Sequence, residues 1–415
     1  MLPFRNFTFL AAFALTSILS GCRSASSPPA LKSVTSHPAQ PASDAIASLG
    51  REIFFDPSLS GSGKLACATC HDSAHAYAPS NGLAVQSGGA FMTRAAFRAV
   101  PSLAYVLGKT PHWHQEHPAT LMEQLEERDI PPFGGFAWDG RFDTLNGQAT
   151  FPLLSPDEMA NDNPVSILGK LRNASYARAF EQAFGSAALT DPGKALDGIS
   201  LALQRFELAD PSFHPYSSKF DAALDGKGRL SVQELHGQQL FNDPNRGNCA
   251  TCHTSSQGAD GSHPLFTNFQ FEALGVPRNP EIAANRDPHF YDLGLCGPSR
   301  KDLAAKSELC GMFKTPSLRN VATRGAFFHN GRFHTLRKAL EFYVRRDTNP
   351  EQFYPVTRNG SVLKFDDLPA RYRDNVDIVD LPLTKHKGEQ PIWSDRDIDD
   401  VIAFLQTLTD GYKTP

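Results

Sequence analysis

This sequence contains few methionines and tryptophans, and it has no large excess of charge of either sign. It has five methionines and three tryptophans among 415 residues, and its formal net charge is -4. Without a basic excess to neutralise a phosphate backbone, the protein is not expected to bind nucleic acid. Beyond residues 1–22, no apolar stretch is long enough to span a bilayer. The 40% of hydrophobic residues instead predict globular structure, and the length suffices for two domains.

The N-terminus has the pattern of an export signal. Residues 1–22 contain one basic residue, then an apolar run, then small residues. The ending Leu-Ser-Gly-Cys is similar to a bacterial lipobox, which predicts cleavage before Cys22, lipidation of its thiol and a periplasmic lipoprotein tethered to a membrane. An ordinary signal peptide with an incidental cysteine is the alternative. Residues 23–43 are rich in Ser and Pro and predict a flexible tether.

Six further cysteines form three pairs along the chain. Export brings a chain into an oxidising compartment, so Cys296 and Cys310 are expected to close a disulfide loop, worth about 3 kcal/mol. Two free buried thiols are the alternative for this pair. The other two pairs each belong to the motif Cys-Ala-Thr-Cys-His, at 67–71 and 249–253.

This motif predicts covalently attached haem. The two thiols attach to the macrocycle and the adjacent histidine binds the iron, which dictates the spacing. A lone Cys-x-x-Cys could be a redox dithiol or half of a zinc site, but both copies carry the histidine and neither has another such pair nearby. The sequence therefore predicts two haems c, held by Cys67, Cys70 and His71 and by Cys249, Cys252 and His253.

The surroundings of the two motifs repeat as well. LGREIFFDPSLSGSGKLACATCH parallels HGQQLFNDPNRGNCATCH, and FAWDGRFDTL (136–145) parallels FFHNGRFHTL (327–336), with Trp138 replaced by His329. An internal duplication follows, with a haem domain at 44–228 and another at 229–415. Helical patterns predominate, including a helix that begins near Ser231 and another at 394–412 with Ser394 as its N-cap. We therefore expect a mainly α fold of two tandem cytochrome c-like domains with long loops.

Each motif supplies one axial ligand, so the other face of each iron decides between electron transfer and chemistry. A helix is predicted after His329, and it places Tyr343 fourteen positions further on. The same step from Trp138 reaches Pro152, which has no donor atom. Methionine is the usual alternative ligand, but none lies in this helix; those beyond the start residue are Met92, Met122, Met159 and Met312. From the residues alone, Tyr343 is either an iron ligand or a packed core aromatic.

The chain resembles the di-haem cytochrome c peroxidase and MauG family from about 45 to 412. Two Cys-x-x-Cys-His sites, WDGRFDTLNGQA, SPDEM and FKTPSLRNVATRGAFFHNGRF occur in the family order. The resemblance implies a peroxide-reacting N-terminal haem and a six-coordinate C-terminal haem ligated by Tyr343, as in MauG. It further implies electron relay by Trp138, a position near the second haem for His329, and proton transfer by Glu158 with Gln148 beside it.

Several positions depart from the family pattern. Residues 84–103 contain no histidine, although peroxidases that need reductive activation hold a loop histidine there on the first iron. The first haem is therefore expected to be open. The family's calcium ligands align with Ala99, Arg324 and Ala326, which lack the side-chain ligand, so calcium is doubtful. His112, His114 and His117 could intrude as ligands, bind a metal or form a solvated loop.

These features predict an exported enzyme that reacts with hydrogen peroxide at the His71 haem. A MauG-like enzyme would draw electrons from a protein substrate, whereas a plain cytochrome-c peroxidase would draw them from a small redox protein. A non-catalytic di-haem electron carrier is the alternative from another class, and Glu158, Gln148 and the unligated first haem argue against it.

Overall fold

The computed structural model describes residues 41–115 and 131–414, so Cys22, His117 and Met122 lie outside the described residues. Helices dominate these ranges. In chain order they are α1 (Pro41–Phe54), α2 (Cys67–Cys70), α3 (Leu145–Leu154), α4 (Pro164–Arg172), α5 (Ala177–Phe184), α6 (Pro192–Ala209), α7 (Lys219–Leu224), α8 (Val232–Asn242), α9 (Cys249–Cys252), α10 (Leu336–Arg345) and α11 (Asp395–Gln406). The prediction of a mainly α fold is confirmed.

The strands of the described ranges are two residues long and form two antiparallel pairs. They are β1 (Ser87–Gly88) with β2 (Arg94–Ala95), and β3 (Phe271–Glu272) with β4 (Phe313–Lys314). Within the described ranges, no helix is both long and apolar enough to cross a membrane.

Two helix pairs repeat the same close packing, and the first helix of each pair precedes a haem motif. Gly50 of α1 faces α6, and a Cβ at this position would lie 1.9 Å from the carbonyl oxygen of Ala202. Gly237 of α8 faces α11, and a Cβ there would lie 1.9 Å from the carbonyl oxygen of Asp400. Only glycine lets the backbones approach so closely, so each pair is held by the same device.

Each helix pair encloses an aromatic core. In the first core the rings of Phe54 and Phe206 meet edge to face at 5.4 Å, and in the second the rings of Phe241 and Phe404 lie 5.3 Å apart. The second core begins with Phe220 of α7, whose N–H donates to the carbonyl oxygen of Thr407. The domain boundary near residue 228 stays a prediction, since α7 precedes it yet packs with the second half.

Two sequence-predicted helices begin where expected, and one ends early. Ser231 and Ser394 each form a capping box at the start of α8 and α11. The prediction that the last helix continues to 412 was wrong, because α11 ends at Gln406. The cause is Asp410, whose N–H donates to Asn320 Oδ1 and whose carboxylate accepts from Tyr105 and Ser217. These bonds draw the chain away from the helix axis.

The two Gly-Arg-Phe loops adopt the same turn. Phe136 N donates to Phe142 O at 2.6 Å, and Phe327 N donates to Phe333 O at 2.9 Å. In each turn one residue has a left-handed backbone, Ala137 with φ 67° and Phe328 with φ 66°. The loops then lead into α3 and α10 through threonine N-caps. Trp138 and His329 therefore occupy equivalent positions in the fold.

Candidate haem and peroxide site

Both Cys-x-x-Cys-His motifs open into one cavity of about 580 Å³. The cavity wall includes nearly all of the residues that the sequence predicted for the site, namely Cys67, Cys70, His71, Trp138, Gln148, Glu158, Cys249, Cys252, His253, His329 and Tyr343. The structure thus brings together residues that are separated by up to 276 positions in the chain (343 less 67).

The two motif histidines are oriented in the same way. His71 Nδ1 lies 2.9 Å from Tyr77 O, and His253 Nδ1 lies 2.9 Å from Phe266 O. A carbonyl oxygen only accepts, so Nδ1 carries the proton and Nε2 keeps its lone pair. Burial lowers the pKa of His71 and of His253 to about 4, which keeps both imidazoles neutral. Neutral imidazole with a free Nε2 is the form that binds iron.

The four motif cysteines line the cavity, and none of them is in a disulfide. Cys67–Cys70 and Cys249–Cys252 each form a single helical turn, which brings both thiols of a pair to the same wall. A cavity with two thiols and one imidazole at each end fits the attachment of haem c.

Glu158 and Gln148 line the first half of the cavity. Gln148 and Pro152 lie one helical turn apart on α3 and so share a face. Glu158 lies in the turn that follows α3. Its backbone carbonyl oxygen accepts a hydrogen bond from Gly89 N at 2.8 Å. A Cβ at Gly88 would lie 2.9 Å from Glu158 Cα, so this glycine allows the close approach. Burial raises the pKa of Glu158 to about 7, against the opposing effect of the Arg141 guanidinium.

Ala99 connects the two equivalent loop residues. The indole Nε1 of Trp138 donates to Ala99 O at 2.7 Å, and Ala99 N donates to His329 O at 2.7 Å. The His329 ring stacks on Phe313 with centroids 3.5 Å apart, and its Nε2 is buried without a partner among the described residues. Burial and the charge of Arg98 lower the pKa of His329, so its ring is neutral.

Tyr343 lies on α10 beside the second motif. It lines the cavity, and its ring is tilted by 40° against that of Phe328 at 5.5 Å. Burial raises the pKa of the Tyr343 phenol. The phenol therefore keeps its proton unless a cation such as iron stabilises the phenolate.

Arg141, Lys314 and Arg324 also line the cavity, and sequence reasoning assigned none of them to it. Arg141 belongs to the Gly-Arg-Phe loop, and its Nη1 contacts Asp139 at 3.0 Å while its Nε is buried without a partner among the described residues. Its position in the repeated Gly-Arg-Phe loop could have indicated that it belongs to the site. Lys314 and Arg324 are outside that repeated loop, and no local feature of the sequence shows that a basic residue will line the cavity.

The paired cysteines, the histidine cluster and the positions aligned with calcium ligands are the remaining residues that the sequence singled out. Cys296 and Cys310 are joined in a disulfide. His112 Nδ1 contacts Asp143 at 2.9 Å, and its side chain is 78% exposed. At the positions aligned with calcium ligands, Ala99 O accepts from Trp138 and Arg324 donates to Val100 O at 2.9 Å. Calcium therefore stays a doubtful prediction.

Comparisons with known proteins agree with this site. Residues 44–229 match the family described as di-haem cytochrome c peroxidase. The chain is 33% identical to methylamine utilization protein MauG of Paracoccus denitrificans over 400 residues, which cover 92% of each chain. It is 28% identical to cytochrome c551 peroxidase of Nitrosomonas europaea over 310 residues, 74% of this chain and 75% of that one.

A solved structure shows the same fold. The crystal structure of the diheme peroxidase BthA from Burkholderia thailandensis has a TM-score of 0.78 at 38% identity, covering 88% of this chain and 86% of that one. A fold and a haem cavity with this set of residues, in a sequence this close to MauG, confirm the predictions of an enzyme and of its cofactors. The chain belongs to the di-haem cytochrome c peroxidase and MauG family, and it is a haem-dependent oxidoreductase with two covalently bound haems c.

Proposed function

We propose that this enzyme reacts with hydrogen peroxide at the His71 haem and oxidises side chains of a protein substrate through the His253 haem. The observation that carries the proposal is an asymmetry between two equivalent helices. On α10 the cavity wall includes Tyr343, whose phenol is an iron ligand in some haem proteins. On α3 the equivalent position is Pro152, which offers no donor. With these residues, the iron held by His71 would keep a free position, and the iron held by His253 would have Tyr343 as a second ligand.

A haem whose iron has a free position can bind peroxide and accept its oxidising equivalents. Reduction of one peroxide to two waters consumes two protons and two electrons. The carboxyl of Glu158 lines the cavity and has a pKa raised to about 7, which supports a role in taking the proton from one peroxide oxygen and returning it to the other. The amide of Gln148, on the same cavity wall, both donates and accepts hydrogen bonds and can orient the peroxide.

The two electrons come from the substrate. Trp138 lines the cavity, and the bonds to Ala99 O and from Lys314 N hold its indole and its backbone in place. A rigid aromatic ring changes its surroundings little when it gains or loses an electron, which suits Trp138 to carry electrons from the second haem to the first. A protein substrate can therefore be oxidised at the surface without entering the cavity.

A cytochrome-c peroxidase fed by a small redox protein is the second candidate, favoured by the identity to cytochrome c551 peroxidase. Rapid steady-state oxidation of a reduced small cytochrome c by peroxide would support this second function. Slow oxidation of that cytochrome, with oxidising equivalents retained on the enzyme, would support the first.

The ligand role of Tyr343 can be tested by electron paramagnetic resonance of the oxidised enzyme. We expect one high-spin and one low-spin ferric signal, both lost after stoichiometric hydrogen peroxide. Tyr343→Phe should remove the low-spin signal, because phenylalanine cannot bind iron. Tyr354→Phe is the matched control, since Tyr354 is a buried tyrosine of the same half that donates to Gly275 O. An unchanged low-spin signal in Tyr343→Phe would contradict the ligand role and the MauG-like function.

We further propose that the enzyme is exported to the periplasm and anchored by lipidation at Cys22. The support is the sequence of residues 1–22, together with haem attachment to cysteine pairs and the Cys296–Cys310 disulfide.

A further inference from the structure

Two basic side chains on the cavity wall lack a carboxylate partner among the described residues. Lys314 Nζ donates to the carbonyl oxygen of Gly135 at 2.5 Å, and Arg324 Nη2 donates to that of Val100 at 2.9 Å. Both are half-buried on the cavity wall, and desolvation lowers the pKa of Lys314 to about 8 and that of Arg324 to about 10. Both therefore carry positive charge at neutral pH.

The other basic residues nearby are already paired. Asp139 raises the pKa of Lys314 through its charge, but its carboxylate is shared by Arg98 at 2.7 Å and Arg141 at 3.0 Å. Arg98 also pairs with Asp292 at 2.7 Å. Among the described residues, the side chain of Arg324 forms its hydrogen bond with the carbonyl oxygen of Val100 and no ion pair with a carboxylate. A partly desolvated charge without a counter-charge is costly, so an anion is expected opposite each of the two.

The same cavity would hold the cofactors, because both haem motifs open into it. Each haem carries two propionate side chains, which are carboxylates at neutral pH. Arg324 donates to Val100 O, and Leu103, three residues further along, donates its N–H to the same Tyr77 carbonyl oxygen that faces His71 Nδ1, so Arg324 lies near the first haem's ligand. We propose that Lys314 and Arg324 each bind a haem propionate, with Arg324 serving the haem of His71. This inference rests on the two bound haems and is independent of the substrate proposed above.

The two cations are tied to the environment of Trp138. Lys314 N donates to Trp138 O at 2.9 Å, and the indole of Trp138 donates to Ala99, the neighbour of the Val100 that accepts from Arg324. Unpaired cations in these places would raise the free energy of an oxidised indole. Pairing them with propionates removes this penalty, so the haems themselves complete the electrostatic surroundings of the bridge.

The test compares the holoenzyme with Lys314→Gln and Arg324→Gln. Loss of a positive charge should favour ferric haem, so the equilibrium constant for reduction of one haem should fall about ten-fold, or about 59 mV. Spectroelectrochemical titration measures this change, and resonance Raman spectra of the propionate bending modes should shift as well. For Arg324→Gln the affected haem should be the high-spin one.

Matched controls come from α4. Lys170 and Arg172 also donate to backbone carbonyls, those of Ser60 and Leu189, but neither lines the cavity. Lys170→Gln and Arg172→Gln should leave both haem potentials and the Raman modes unchanged. If Lys314→Gln and Arg324→Gln behave like these controls, the proposal is wrong.

Charge-retaining variants guard against failure of folding or haem loading. In Lys314→Arg and Arg324→Lys the positive charge remains, so the equilibrium constant for haem reduction should change by no more than about two-fold. The propionate bending modes should still shift, because the hydrogen-bond donor is different. Raman modes identical to those of the unmodified enzyme in both variants would overturn the proposal. Haem content, measured as pyridine haemochrome, confirms that each sample carries both cofactors.

Discussion

Glu158 shows how a single residue acquires a pKa near neutrality from its surroundings. Its carboxyl lies in the cavity wall, where burial raises the pKa to about 7 and Arg141 opposes the rise. At this value the group is poised between accepting and donating a proton at neutral pH. An exposed glutamate, with a pKa near about 4.3, would be a poor proton donor to the departing oxygen.

Replacement of Glu158 should therefore lower the rate of reaction with hydrogen peroxide and flatten the dependence of that rate on pH. In the unmodified enzyme, the second-order rate of reaction with peroxide should rise as the pH passes through about 7, because the deprotonated carboxylate is the base. Glu158→Gln should lower this rate by about 10²- to 10⁴-fold and flatten the profile, as measured by stopped-flow absorbance.

Glu207 provides a matched control for this prediction. It is another buried glutamate of the first half, burial raises its pKa to about 8, and we assign it no role in proton transfer. Glu207→Gln should keep the rise near pH 7. A Glu158→Gln enzyme that retains the full rate would show that another group moves the proton.

At the scale of elements, the repeated helix pairs are what place each haem motif. Gly50 and Gly237 allow α1 to lie against α6 and α8 against α11. The motif helices α2 and α9 follow shortly after, and the carbonyl oxygens of Tyr77 and Phe266 then fix the imidazoles. Tyr77 and Phe266 both have a φ of 55°, a left-handed backbone that directs each carbonyl to its histidine. The duplication is thus preserved in backbone geometry as well as in sequence.

A methyl group at the helix contact should destabilise the fold. Gly50→Ala forces a Cβ into the carbonyl oxygen of Ala202, so we expect a loss of about 1–3 kcal/mol and a lower midpoint of thermal unfolding by circular dichroism. Gly169→Ala is the control, because this glycine lies inside α4 with open space around its Cα. That variant should gain about 0.5–1 kcal/mol. Equal midpoints for the two variants would disprove the close-packing argument.

At the scale of the whole molecule, one cavity unites the two halves. Trp138 and His329 meet across Ala99, so the loops that the sequence repeats become neighbours in space. Arg98 connects the same region to Asp139 of the first loop and Asp292 of the second half. The proposed electron exchange between two haems would need a fixed geometry, and these buried ion pairs would help to maintain it.

The proposed anchoring of the enzyme to a membrane gives a prediction for Cys22. Cys22→Ser should release the enzyme from membranes into the soluble periplasmic fraction and abolish incorporation of radiolabelled palmitate, because only the cysteine thiol is lipidated. Both haems should remain attached, since Cys67, Cys70, Cys249 and Cys252 are unchanged. If the unmodified protein is itself unlabelled and soluble, like Cys22→Ser, an ordinary signal peptide would be favoured.

The sequence by itself determined the cofactors, the duplication and most helix starts, because these depend on local spacing. Cys-x-x-Cys-His matches a macrocycle wherever it occurs, and Ser231 and Ser394 cap their helices through bonds to residues three positions away. The resemblance added Trp138, Glu158 and Tyr343, and their roles remain predictions.

Only the tertiary structure decided which residues share the cavity and with what charge. The end of α11 depends on Asn320, the pKa of Glu158 on burial, and the unpaired charges of Lys314 and Arg324 on contacts with Gly135 and Val100. Such contacts join segments far apart in the chain. A local pattern cannot reveal them, since burial and electrostatic pairing arise only when those segments pack.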